Sequence, residues 1–245
     1  MSPSLTPRLY VGAVITAGIA LLVLFAPREL QNPWLAAGLL ASTVLLSVFK
    51  LRLPLGNHGV STMTMAYTID FVALIVDGAS LATLLGAIGV LIQCTVRVQR
   101  KQPIHRAAFS AAAVVIAVQL AGMGWRALGG DLTQLSLAST VLPLAVCAIT
   151  YFAVNTGLVA GAIAVTSHDS SKALNPEFLR TAPAFLAAAT VAGLVGIAML
   201  HGVVFLAPIA ASPLLVVYRS YQQRWTAMAQ ALLAGASPAQ RVATA

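Results

Sequence analysis

The chain has 245 residues, of which 59% are hydrophobic and only 8% charged, with 14 Lys and Arg against 6 Asp and Glu. Water-soluble domains carry about 25% charged residues, so this composition excludes a soluble globular domain, and a mean hydropathy of +0.91 places the chain in lipid. The net charge of +8 does not make a nucleic-acid face, because the basic residues sit at the ends of apolar runs, where membrane orientation puts them.

The apolar runs approach the ~20 residues that cross a bilayer as helix, and they lack the polar–apolar alternation of outer-membrane strands. Backbone groups in lipid must be satisfied within their own segment. The expected fold class is therefore all-α: a polytopic transmembrane helical bundle of about eight spans (six to eight), occupying residues 1–218. Residues 219–245 form the expected cytoplasmic juxtamembrane helix and frayed tail, with Trp225, Met228 and Leu232 on one face at helical spacing.

In chain order, Leu9 to Ala26 follows a segment with one arginine and reads as an uncleaved first span, because Pro27-Arg28-Glu29 lacks the small-residue pattern of a signal cleavage site. Pro33 to Phe49 is the second span, and Leu53 to Gly59 is a loop of turn formers. Val60 to Val76 and Ala79 to Val96 are the third and fourth, joined at Asp77-Gly78. The basic loop Arg97 to Arg106 overlaps the start of the fifth, Ile104 to Trp125, and Leu128 to Asp131 makes an exposed turn. Ser136 to Val165 would run roughly 45 Å as helix, longer than the ~30 Å hydrocarbon core, so Pro143 is expected to kink or begin that helix. Thr181 to Leu200 and Val203 to Tyr218 complete the eight, with Pro208 and Pro213 breaking the last.

Charge tests this threading. With the Arg97 to Arg106 loop in the cytoplasm, both termini are cytoplasmic and only Arg28 and Arg126 of the 14 cations fall outside, as the positive-inside rule requires. The expected location is the bacterial inner membrane, multi-pass. Small-residue spacings at Gly86/Gly89, Gly157/Gly161 and Gly193/Gly196 let helices approach closely. Gly157-x-x-x-Gly161 is open to use within one chain or as a homodimer contact. Cys94 and Cys147 sit at depths that differ by roughly 20 Å, too far for a disulfide.

Asp70 is the candidate to carry chemistry. A carboxylate at a helix centre costs about 2.5–3.5 kcal/mol on insertion scales, so such residues face inward and mark functional sites. Topology puts Asn155 at a similar depth, and Tyr67 and Tyr151 fall on the same helix faces as Asp70 and Asn155. The expected ligand-binding cluster is Asp70, Asn155, Tyr67 and Tyr151, with Thr64 as a further member. It would bind a small polar ligand or take up a proton. The alternative is a structural hydrogen-bond network between two helices, with Asp70 protonated. Gln93 and Gln119 read as helix–helix hydrogen bonds.

No cofactor or metal is expected. His58, His105, His168 and His201 lie in loops without metal-ligand spacing. His168-Asp169 matches the His-Asp pair of metal phosphohydrolases, but one pair in a loop cannot build that site. With no phosphate loop, Ser-centred elbow or second carboxylate pair, the chain reads as non-enzymatic.

A series of residues in the central stretch carries a resemblance. It runs Pro54, Gly56, Ser61, Ile69-Asp70-Phe71, Gly78, Gly86, Gly89 and Gln93, then Arg97, Pro103, Arg106, Phe109, Tyr151 to Asn155 and Tyr218-Arg219-Ser220-Tyr221. Over about two thirds of the chain it resembles the N-terminal polytopic membrane region of bacterial signalling proteins. In those proteins the region precedes a cyclic-di-GMP synthase, an HD-GYP phosphodiesterase or a histidine kinase. The resemblance implies a sensory role, with the last helix passing a change to a cytoplasmic output domain or partner protein. No Gly-Gly-Asp-Glu-Phe, HD-GYP or kinase motif follows Tyr221. Two other functions fit the same pattern: a substrate-binding subunit of a vitamin-like transporter, and a structural accessory protein of the bilayer.

Overall fold

The computed structural model describes residues 5–48, 50–54, 60–96, 103–134, 136–167, 181–203, 219, 220 and 223. Helix α1 spans Leu5–Phe25, α2 Pro33–Val48, α3 Tyr67–Val76, α4 Ala79–Thr95, α5 Ile104–Ala127, α6 Leu142–Ser167 and α7 Ala182–Leu200. Four segments are long and apolar enough to cross a membrane: Thr6–Phe25, Ile104–Ala127, Leu137–Thr166 and Ala182–Leu200. The eighth expected span, Val203 to Tyr218, and the tail face of Trp225, Met228 and Leu232 lie outside the described residues, apart from Val203 itself. So does most of the basic loop.

One expected span is corrected. Val60 to Val76 is not a continuous helix: strand β2 (Val60–Thr64) pairs antiparallel with β1 (Lys50–Pro54), and only Tyr67–Val76 is helical. The register pairs Lys50 with Thr64 and Pro54 with Val60. Val60-Ser-Thr-Met-Thr is rich in β-branched and hydroxyl side chains, which lose rotamer freedom in a helix or compete for its backbone. Lys50-Leu-Arg-Leu alternates polar and apolar as a strand does. The ten residues of α3 reach about 15 Å, half a hydrocarbon core.

Close contacts fix the directions of the helices. Gln119 of α5 bonds to Thr83 of α4, and Gly122 lies against Ala79, so α4 and α5 run antiparallel. Gly124 faces Val146 and Thr150 of α6, while Phe109 shares a smaller apolar cluster with Leu158 and Val159. Helix α1 runs alongside α5, with Tyr10 against Phe109 and Gly18 against Ala112. Helix α3 runs parallel to α7: Tyr67 stacks on Phe185 at one end, and Ile75 and Val76 approach Gly196 at the other. The hairpin, the start of α1 and the facing ends of α4, α5, α6 and α7 therefore share one end. That end carries Arg8, Lys50, Arg52 and Arg106, while Arg28 and Arg126 lie at the opposite one.

At the opposite end, Gly78 adopts φ 107°, a conformation suited to glycine, and its amide closes α3 onto the Ala73 carbonyl. The long sixth segment opens with a π-helical turn, Leu137–Val141, before Pro143. Pro143 has no N–H for the Ser139 carbonyl, which instead accepts from the Asp131 amide at 2.7 Å. The Asp131 carboxylate accepts from the amide and hydroxyl of Thr133, and these bonds hold it below the usual carboxylate range.

The core is made where α3, α4, α5, α6 and α7 converge, around Phe71, Leu85, Val118, Cys147 and Ala188. Outward faces are apolar too: Val23 is 72% exposed and Leu137 76%, a surface suited to lipid rather than water. Gly161 is used within the chain, against Tyr10, whereas a Cβ added at Gly157 would stand in open space among the described residues.

A methyl group on Gly18 would overlap Ala112, while Gly12 has open space. Gly18→Ala is expected to cost about 1–3 kcal/mol by forcing α1 off α5, and Gly12→Ala to leave stability level or slightly raised. Thermal unfolding of the two variants in the same detergent checks this.

Candidate functional site

Helix α3 begins deep in the bundle because the hairpin consumes the residues before it. Asp70 lies in its first turn. The first amides of α3 are satisfied by a tight turn, with Thr68 donating to the Met65 carbonyl and Ile69 to that of Ala66, so no side chain caps the helix. A helix N-terminus favours a carboxylate in that first turn. Gly86 of α4 meets both Asp70 and Val114 of α5. Val114 is about 15 Å along α5 from Ile104, which sets the depth of Asp70 near mid-bundle.

Asp70 is 4% exposed. Its Oδ2 accepts a hydrogen bond of 2.9 Å from the Tyr151 hydroxyl of α6. Among the described residues its Oδ1 has no hydrogen-bond partner. A Cβ on Gly86 would stand 3.3 Å from Asp70 Oδ2 and 2.9 Å from Val114, so glycine is what admits the carboxylate between α4 and α5.

One helical turn along α4, Gly89 faces Thr43 and Ser47 of α2, with Ser47 Oγ 3.2 Å from where a Cβ would stand. Both side chains are fully buried. Among the described residues, Thr43 Oγ1, Ser47 Oγ and Thr68 Oγ1 find no hydrogen-bond partner, as Asp70 Oδ1 finds none. Each such buried group costs about 1–3 kcal/mol.

An aromatic cluster adjoins the carboxylate. Phe71 packs on Tyr151 at 5.1 Å between centroids, Tyr151 on Phe185 at 5.6 Å, and Tyr67 stacks on Phe185 at 4.6 Å. Phe185 belongs to α7 and so ties the site to a third long helix.

Of the expected cluster, the structure joins Asp70 to Tyr151 directly. Tyr67 is buried nearby, and its hydroxyl donates to Met65 Sδ rather than to Asp70. Asn155 is half-buried one turn beyond Tyr151 and makes no hydrogen bond to Asp70. Thr64 ends β2, and its side chain lies outside the described residues. Gln119 bonds to Thr83 at 2.8 Å as a helix–helix link. Thr43, Ser47 and Phe185 are members that sequence reasoning missed. A buried hydroxyl in an apolar run gives no signal until its facing helix is known.

The chain matches no family model, no curated protein and no solved structure.

Tyr151→Phe leaves both oxygens of Asp70 unpartnered, and a loss of about 1–3 kcal/mol is expected. Thr43→Val and Ser47→Ala remove unpaired hydroxyls and are expected to hold or raise stability. Unfolding midpoints of the three variants against the parent protein check both signs.

Proposed function

We propose that the chain is an integral membrane sensory module of the bacterial inner membrane, with both termini and the cation-bearing hairpin end in the cytoplasm and eight membrane segments. It is not an enzyme: its bundle takes up a small polar ligand at Asp70 and relays occupancy to a cytoplasmic output domain or partner protein. One observation carries this reading: a carboxylate at mid-bundle depth, 4% exposed, with one oxygen unsatisfied. Native interiors pair nearly all of their buried polar groups, so an unpaired carboxylate oxygen at this depth supports a functional reading over a purely structural one.

The contacts around the site supply a route for the relay. Asp70 holds Tyr151, Tyr151 and Tyr67 both pack on Phe185, and α7 carrying Phe185 leads into the C-terminal apolar segment. A ligand that draws on Asp70 competes with Tyr151 and shifts the packing against α7. A groove of about 370 Å³ opens over the far end of α3, between Ile75, Trp125, Asp131 and Met199. Asp70 does not line it, and in this reading the short α3 moves to admit the ligand. That coupling of entry to motion is what a sensor needs.

A transporter subunit is the second reading, favoured by one feature. Helix α3 starts at mid-bundle after a non-helical segment, as the discontinuous helices of solute carriers do. Ligand-driven flux in proteoliposomes would favour it over sensing.

The test is thermal unfolding of the purified protein against a panel of small polar metabolites of either charge. At least one is expected to raise the midpoint of the parent protein and leave that of Asp70→Asn unmoved. If Asp70→Asn responds identically to every compound, or if none acts on the parent, the site is structural.

A further inference from the structure

A groove of about 450 Å³ runs between two of the membrane-length segments, Leu137–Thr166 and Ala182–Leu200. Its walls extend from Ser136 to Ala145 on one side and from Leu186 to Ile197 on the other, about 14 Å and 17 Å along the two helices. Leu186 follows Phe185, whose ring packs on Tyr151, so the inner end of the groove is level with the Asp70 site at mid-bundle. Its outer end, at Ser136, lies at the end of the bundle opposite the hairpin. The groove therefore covers the depth of one leaflet, half of a ~30 Å hydrocarbon core.

The sequence shapes both walls. Ala145, Ala189 and Gly193 contribute little or no side chain, while Leu137, Val141, Leu186 and Leu194 are exposed large apolar residues of the same groove. A Cβ at Gly193 would stand 2.8 Å from Leu144 Cδ1, so the two walls meet through a glycine. Leu137, Thr140 and Val141 come from the π-helical turn, and such turns recur at functional sites. Among the described residues the lining has no charged side chain, and the chain itself uses its three hydroxyls. Thr140 Oγ1 lies 2.8 Å from the carbonyls of Asp131 and Gln134, Thr190 donates to the Leu186 carbonyl, and Ser136 pairs with Ser139. A polar ligand would give up its water for nothing there.

We propose that this groove binds one acyl chain of a bilayer lipid, drawn from the leaflet opposite the hairpin and independently of what Asp70 takes up. Width selects that occupant. The volume of about 450 Å³, spread over roughly 15 Å, leaves a cross-section of about 30 Å². A helix with its side chains is about 10–12 Å across and needs about 80–110 Å², so neither a helix of a second copy nor a further helix of this chain seats in it. A methylene chain, whose carbons keep about 3.5–4.0 Å from their neighbours, is slender enough. Left empty, the walls would forfeit their dispersion contacts, and water would find no polar partners to hold it.

The test uses the full chain in phosphatidylcholine nanodiscs, with a small fraction of the lipid carrying a diazirine midway along one acyl chain. After irradiation, peptide mass spectrometry maps where the lipid has inserted. Labelling of residues 136–145 and 186–197 is expected to exceed severalfold that of the exposed α1 face at Ile19, which meets lipid without a groove. Thr190→Trp fills the groove from an exposed position and is expected to bring its labelling down to the Ile19 level while the unfolding midpoint holds. Ala145→Leu is expected to do the same from the opposite wall. Groove labelling no greater than that at Ile19, or undiminished in both variants, would overturn the proposal. An unlabelled groove in a protein that is dimeric in the nanodisc would overturn it in favour of a second copy.

Discussion

A carboxylate surrounded by apolar helices must find hydrogen-bond donors within a few ångströms, because its desolvation costs several kcal/mol. Among the described residues one donor, Tyr151, serves its two oxygens. The rest of the interior is arranged around that shortfall. Glycine at 86 makes room for the acid, the first turn of α3 presents it at a helix N-terminus, and aromatic rings from two helices pack on its partner.

The hairpin is what sets this geometry. Had Val60 to Val76 formed one helix, Asp70 would sit in the middle of a continuous span and not in a first turn. Pairing Lys50–Pro54 with Val60–Thr64 puts the facing backbone groups of both strands into a sheet ladder instead, and a short helix starts inside the bundle. Non-helical backbone at such depth is tolerated only where protein covers it. The burial of Met65, Ala66 and Tyr67 meets that condition.

Much of this was legible before any coordinates. Long apolar runs marked α1, α5, α6 and α7, and the turns at Asp77-Gly78 and Leu128 to Asp131 were visible from glycine and aspartate alone. Asp70 stood out because an acid in an apolar run is costly wherever it points. Its partner was harder. Equal depth brought Asn155 and Tyr151 into view together, but depth does not fix rotation, and the tyrosine one turn earlier is the residue that reaches the acid. The strand character of Val60 to Thr64 was hidden in an apolar average, although Lys50-Leu-Arg-Leu alternated. Thr43 and Ser47 were silent because their significance depends on Gly89, which lies on another helix.

The central claim is that Asp70 and Tyr151 form one buried unit, and a double-mutant cycle measures it most directly. Unfolding free energies of the parent protein, Asp70→Asn, Tyr151→Phe and the double variant give the coupling between the two side chains. The account predicts a coupling of about 1 kcal/mol or more, as for residues in one buried network. Effects that add to within about 0.3–0.5 kcal/mol, as for distant sites, would contradict it.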